Sequence, residues 1–145
     1  MKTQTKALNI LLASLSVASS NAKSYHWYIK GDNFFFLHEK FGELYEFLVK
    51  TVDQVGERIL GIKQEPMVNF SNYLNHSIVL EATVRGEKEI LQNVLSDLAL
   101  LIGCAKEARE ESVKAEDDET DSYLQELVFQ LQKLEWQYNS QNSQK

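Results

Sequence analysis

Residues 24–58 read SYHWYIKGDNFFFLHEKFGELYEFLVKTVDQVGER, and this stretch decides the fold. Near its start lies a tight polar turn, Gly31-Asp32-Asn33, preceded by Lys30. A basic residue followed by glycine predicts the end of one helix, and Asp32 and Asn33 are both residue types that cap the start of the next. Downstream, Phe34, Leu37, Phe41, Leu44, Leu48, Val52, Val55, Ile59 and Ile62 recur every three or four residues. That spacing marks one long amphipathic helix, which ends before Pro66. Upstream, Leu8, Leu11, Leu12, Leu15, Ala18, Ala22, His26 and Ile29 keep the same period and predict a first helix from about Thr5 to Ile29. The opening MKTQTKALNILLASLSVASSNAKS also imitates a secretory leader. Asn9, Ser14 and Ser16 interrupt its apolar run, which favours the amphipathic helix.

The same stretch carries metal-ligand residue types: His26, His38, Asp53 and Glu57. At ~100° per residue, Asp53 lies about 60° and Glu57 about 100° around the second helix from His38, so the three share a broad face. Along the axis, however, His38 and Asp53 are roughly 22 Å apart at ~1.5 Å per residue. No ion spans that gap within one straight helix. The geometry closes if the helix packs antiparallel on its own copy across a two-fold axis near Glu46 and Phe47. His38 of one chain then meets Asp53 and Glu57 of the other, twice per dimer. His26 folds back beside His38 across the turn. Two imidazoles and two carboxylates suit iron, and also accommodate zinc, cobalt and manganese. The alternative is bland: Asp53 and Glu57 form a solvated helix face with Lys50 and Arg58 as local partners, and the histidines are packing residues. HEKFG, residues 38–42, begins like a zinc-protease motif but has Gly42 where the second histidine is required. The Glu-x-x-His motifs of bundle-core di-iron enzymes are missing as well.

Further along, FSNYLNHS, residues 70–77, is too short for a bundle helix and predicts a small connector helix. A third long helix is expected from about Ile78 to Glu111, with Val79, Ala82, Ile90, Leu91, Val94, Leu98, Leu101, Ile102 and Ala105 facing inward. After the acidic turn KAEDDETD, a fourth helix carries Tyr123, Leu124, Leu127, Val128, Leu131, Leu134 and Tyr138. The polar tail NSQNSQK, residues 139–145, is expected to fray. The fold class is therefore all-α: a four-helix bundle with a short extra helix between the second and third long helices, which makes a long crossover. At 145 residues the chain fits one domain, residues 1–145, with a core of its own.

Charge and cysteine content narrow the function classes. The net charge of -6 gives no general attraction to nucleic acid or anionic membrane. No other segment approaches ~18 uninterrupted apolar residues, so no membrane span is expected. The one cysteine, Cys104, sits in the apolar helical pattern LALLIGCAKEA and reads as a small core residue. No intrachain disulfide is available, and a cytoplasmic location is the expectation.

HWYIKGDNFFFLHEKFGELYE, residues 26–46, followed by DQVGERI, residues 53–59, resembles the Dps family, the DNA-binding proteins from starved cells within the ferritin superfamily. The likeness extends over nearly the whole chain, including DDETDSYLQELVFQLQKLEW, residues 117–136. It implies a ferritin-like bundle assembled as a hollow homododecamer with ferroxidase centres at the two-fold interfaces. Those centres would oxidise Fe(II), preferentially with hydrogen peroxide, and the ferric product would mineralise in the cavity. By the same resemblance, Asp53 and Glu57 hold the primary iron and His26 completes it, while His38 serves the second iron or its water. Trp27 matches an aromatic near the centre that is placed to intercept a stray oxidising equivalent, although interface packing explains it equally well. Asp117, Asp118, Glu119 and Asp121 fall where the family lines three-fold pores for iron entry. Helix-dipole complementation is the simpler reading of the same acids. Thr120-Asp121-Ser122 also departs from the family's more frequent Thr-Ala-Asp.

Gly42 is the main departure, since the family usually has an aspartate there. A weakened second iron position follows. The namesake DNA binding usually rests on a lysine-rich tail, but here only Lys2 and Lys6 stand near the start of the chain and Lys145 alone ends it. A nucleoid-binding cage with secondary metal activity is therefore the alternative function, and DNA binding is expected to be weak or lacking. An inactive ferritin-like shell is a third.

Overall fold

The computed structural model describes residues 3–143, so Lys2 and Lys145 lie outside the described residues. The elements are α1 (Thr3–Tyr28), α2 (Phe34–Gly61), α3 (Phe70–His76), α4 (Glu87–Lys114) and α5 (Asp118–Asn142). Among the described residues there is no strand. The predicted inner faces are the observed ones: Leu8, Leu11, Leu12, Leu15, Leu37, Phe41, Leu44, Leu48, Leu98, Leu101, Leu124 and Leu131 are all buried in one core. Cys104 belongs to that core, with its thiol 3.7 Å from Ser14 Oγ and its ionisation suppressed chiefly by burial. No helix is long and apolar enough to cross a membrane among the described residues.

Side-chain pairings fix the topology. Thr3 bonds Glu111, Ser14 meets Cys104 and Asn21 reaches Asp97, so α1 and α4 run antiparallel. His26 pairs with His38 at the turn between α1 and α2, which are also antiparallel. Tyr123 reaches Gln54 and Tyr138 reaches the Lys40 carbonyl, which makes α2 and α5 antiparallel too. Helices α2 and α4 are therefore parallel and diagonal, and the chain must travel the length of the bundle between them. Residues 62–86 make that journey, with α3 laid against α1 partway.

The crossover differs from its expected form. Residues 78–86, expected as the first turns of the third long helix, are not helical, and α4 begins only at Glu87 after Gly86. Three of their backbone groups bond to α1 side chains instead of to one another. Asn21 accepts from Ala82 N at 2.9 Å and donates to Leu80 O at 2.9 Å, while Ser14 Oγ accepts from Ile78 N at 3.0 Å. Asn9 does the same for the earlier part, accepting from Met67 N at 2.8 Å and donating to Glu65 O at 3.1 Å. Asn9, Ser14 and Asn21 are all buried. These polar breaks in the apolar run of α1 are the docking points of the crossover, and an unpaired backbone group there would cost about 1–3 kcal/mol. Val79 and Ala82 still face the core, but from non-helical backbone.

Two other boundaries are corrected. Asn33 occupies the cap position of α2 without a capping bond, because its Nδ2 donates to Glu87 Oε2 at 3.0 Å and so ties the turn to the start of α4. Helix α5 runs on through Asn142, into the polar tail expected to fray, while residues 144 and 145 lie outside the described residues. The turn at Gly31 has φ 114°, a left-handed conformation that favours glycine.

A buried carboxyl sits in the α1–α4 interface. Asp97 is 8% exposed and accepts hydrogen bonds from Tyr25 Oη at 2.8 Å and Asn21 Nδ2 at 3.2 Å. Burial pushes its carboxyl up to about 6, against the pull of those two hydrogen bonds. A carboxyl whose folded pKa is raised weakens the fold as it ionises. Stability is therefore expected to decline by on the order of 3 kcal/mol as pH rises from about 4 through about 6. Asp97→Asn should flatten that dependence in chemical unfolding followed between pH 4.5 and 7.5. An unchanged pH profile in the variant would count against the assignment.

Candidate metal centre

His26 is two residues from the end of α1, and His38 stands in the second turn of α2. The Gly31 turn brings them face to face: the rings stack with centroids 3.9 Å apart and planes 13° from parallel. Each clasps the other's backbone. His26 Nδ1 lies 2.6 Å from the His38 carbonyl oxygen, and His38 Nδ1 lies 2.8 Å from that of His26. A carbonyl oxygen only accepts, so both Nδ1 atoms carry hydrogen and donate. With Nδ1 so engaged, Nε2 is the nitrogen of each ring that can offer a lone pair. Fixing one ring nitrogen by a backbone bond to present the other to a metal is the usual arrangement for histidine ligands. Phe34 extends the stack, its centroid 4.9 Å from that of His38.

Asp53 and Glu57 are both exposed, near the far end of the same unbroken helix. Within one chain they do not meet the histidines. Among the described residues, no group of three or more histidine, cysteine or acidic side chains comes together in a way that could hold a metal. One chain thus carries an imidazole pair at one end of α2 and a separate carboxylate pair towards the other. His76, the third histidine, is remote in role and bonds its own helix at Asn72 O, 2.9 Å away.

The acidic turn divides into two kinds of residue. Asp117 caps α5, accepting from Thr120 N at 3.1 Å, Thr120 Oγ1 at 2.6 Å and Gln4 Nε2 at 2.8 Å. Burial raises its pKa, but the bonds from Thr120 and Gln4 outweigh this and hold it below the usual carboxylate range. Asp121 accepts from Arg109 Nε at 2.8 Å and Gln125 Nε2 at 2.9 Å, which lower its pKa as well. Asp118 and Glu119 are exposed in the first turn of α5. Trp27 is 64% exposed beside His26, with the Lys23 ammonium 5.3 Å from its ring centroid.

A short-connector bundle with this crossover is a ferritin-like architecture, and the family model for the ferritin-like domain matches residues 5–144. The chain belongs to the Dps family of the ferritin superfamily. Among its relatives is the DNA protection during starvation protein of Brevibacillus brevis, 34% identical over 143 residues, which cover 94% of this chain and 95% of that one. The crystal structure of Dps from Staphylococcus aureus superposes with a TM-score of 0.94 at 31% identity, covering 98% of this chain and 96% of that one. The Vibrio cholerae DPS protein, described as a member of a broad superfamily of ferritin-like diiron-carboxylate proteins, gives a TM-score of 0.91 at 32% identity, over 94% and 87% of the two chains.

Proposed function

We propose that this protein is an iron-sequestering ferroxidase: a homododecameric cage, working in the cytoplasm, that oxidises Fe(II), preferentially with hydrogen peroxide, and stores the ferric product. The observation that carries the reading is the clasped pair of imidazoles, His26 from α1 and His38 from α2, with both Nε2 atoms free and the carboxylate pair of α2 too far off to join them in the same chain. An antiparallel copy of α2 supplies the missing half: His26 and His38 come from one subunit, Asp53 and Glu57 from its partner. The surface around the histidines supports such a mate, since Trp27, Phe35 and Phe36 are large apolar side chains left exposed there.

Iron is the substrate. Asp53 and Glu57 hold the primary ferrous ion with His26, and His38 serves a weaker second position. Carboxylate oxygens accept both ferrous and ferric states, and the same set would take zinc, cobalt or manganese as surrogates. Two ferrous ions and two protons reduce one hydrogen peroxide to two waters, so the electrons pair. A single ferrous ion would instead release a hydroxyl radical, which Trp27 is placed to intercept. Asp118 and Glu119 are the acids free to draw ferrous ions to a pore at the start of α5, while Asp117 and Asp121 keep that start in shape. Protection of this kind removes iron and peroxide without contact with DNA. Twelve chains would carry about -72 formal charge, against polyanion binding.

The test is size-exclusion chromatography with light scattering and iron detection, after adding ferrous iron and peroxide to the metal-free protein. Iron should co-elute with a particle near twelve times the 16.7 kDa chain mass. A particle of that size without iron, or a monomer, would contradict the proposal.

A further inference from the structure

We propose that Gly42 is the positioning residue of the metal centre: the notch it leaves in α2 is filled by the His26 ring, which is held there as an Nε2 ligand. This deepens the ferroxidase reading and rests on it for the ligand role. Phe34, His38 and Gly42 follow one another at four-residue intervals and so lie along one face of α2. The rings of Phe34 and His38 stack, and the next ring in the column comes from α1: His26 stacks on His38. It lies where a side chain at 42 would begin. A Cβ built there would sit 2.9 Å from His26 Cε1, 3.0 Å from Nδ1 and 3.7 Å from Nε2.

The ring has little freedom to yield. Moving away from α2 breaks the 2.6 Å bond from Nδ1 to the His38 carbonyl and separates the stacked pair. That bond is what leaves Nε2 as the free nitrogen. Any side chain at 42 therefore meets the His26 ring in its present position and acts on the metal through it. Glycine in a helix interior is unfavourable relative to alanine, so the sequence gives up helix stability at this position. The His26 ring is what occupies the space gained.

A four-protein comparison on the full chain tests this: wild type, Gly42→Ala, His26→Ala and the double variant. If Gly42 serves only to seat His26, Gly42→Ala lowers the melting temperature when His26 is present and raises it in the His26→Ala background. Magic-angle-spinning 15N NMR of metal-free, histidine-labelled wild type should show all three histidines as Nδ1–H tautomers, His76 included because it too bonds a carbonyl. Gly42→Ala should shift one of the three. In a Co(II) absorption titration, the same substitution should weaken binding about 10- to 100-fold, as loss of a ligand's orienting contacts does. A melting temperature raised in both backgrounds, with histidine signals and Co(II) affinity unchanged, would overturn the proposal. Should wild type bind no Co(II), the ligand role and the ferroxidase reading fall together. The melting cycle and the tautomer signals, both read without metal, then decide separately whether Gly42 seats His26.

Discussion

Replacing Asp53 by asparagine is expected to lower the initial rate of Fe(II) oxidation by hydrogen peroxide at least about 100-fold. Loss of a group that merely orients a metal ligand costs 10- to 100-fold, and loss of a charged ligand costs no less. The side chain is exposed in the C-terminal third of α2, with no hydrogen bond or ion pair to a neighbour among the described residues. Asparagine keeps its size and removes its charge. Stability should therefore stay within about 0.5 kcal/mol, the usual range for a surface change, and any lost rate reports on chemistry. Stopped-flow absorbance of ferric product under anaerobic addition of peroxide is the measurement. A variant that oxidised iron at the wild-type rate would remove Asp53 from the centre.

The second large effect is on stability. Phe41 is fully buried in α2, immediately before Gly42, with its ring 6.0 Å edge-on from Tyr25 and 6.0 Å stacked from Tyr138. It joins α1, α2 and α5 behind the histidine pair. Phe41→Ala should cost about 3–5 kcal/mol, the range for truncating a buried aromatic, because the removed ring leaves a cavity among three helices. Tyr25 precedes His26, so the loosened packing is also expected to weaken Co(II) binding. Thermal unfolding and Co(II) titration of the same sample would read both effects. A loss below about 1 kcal/mol would mean that the core closes over the gap and that Phe41 does not brace the site.

The long helices were legible because their signal is local. A three-to-four residue apolar period needs nothing outside the segment, and the Gly31 turn declared itself by residue type. The start of α4 was illegible for the opposite reason. Val79 and Ala82 fit a helical face on paper, but the backbone groups of Ile78, Leu80 and Ala82 are claimed by Ser14 and Asn21, some sixty residues earlier in the chain. Asn9 and Ser14, two of the residues that interrupt the apolar run of the first segment, were the available signal, together with Asn21. Polar residues spaced along a buried face call for backbone partners. Asn33 misled in a similar way, since a cap residue type was engaged by Glu87 across the fold.

The candidate site divides along the same line. Residue types and helical phase singled out His26, His38, Asp53 and Glu57, and the 15-residue separation of His38 and Asp53 on one helix pointed to a second chain. What spacing could not carry is the reciprocal clasp, which fixes the free nitrogen of each ring, or the reason for Gly42. Both depend on where the His26 ring comes to rest against another helix. Likewise, the acidic run before α5 looked uniform, whereas Thr120, Gln4 and Arg109 set Asp117 and Asp121 apart from Asp118 and Glu119.

The central claim is that each metal centre is built by two subunits, and complementation tests it most directly. One inactive variant carries His26→Ala and His38→Ala, and the other carries Asp53→Asn and Glu57→Gln. Each is unfolded and refolded alone, then as an equal mixture, and Fe(II) oxidation is measured. Where a two-fold pair contains one of each, one of its two centres regains all four native ligands and the other loses all four. Random assembly then restores about a quarter of wild-type activity per subunit, on the isologous geometry. A mixture as inactive as its components, although light scattering and mass analysis showed mixed shells, would place the centre within single chains and contradict the shared site.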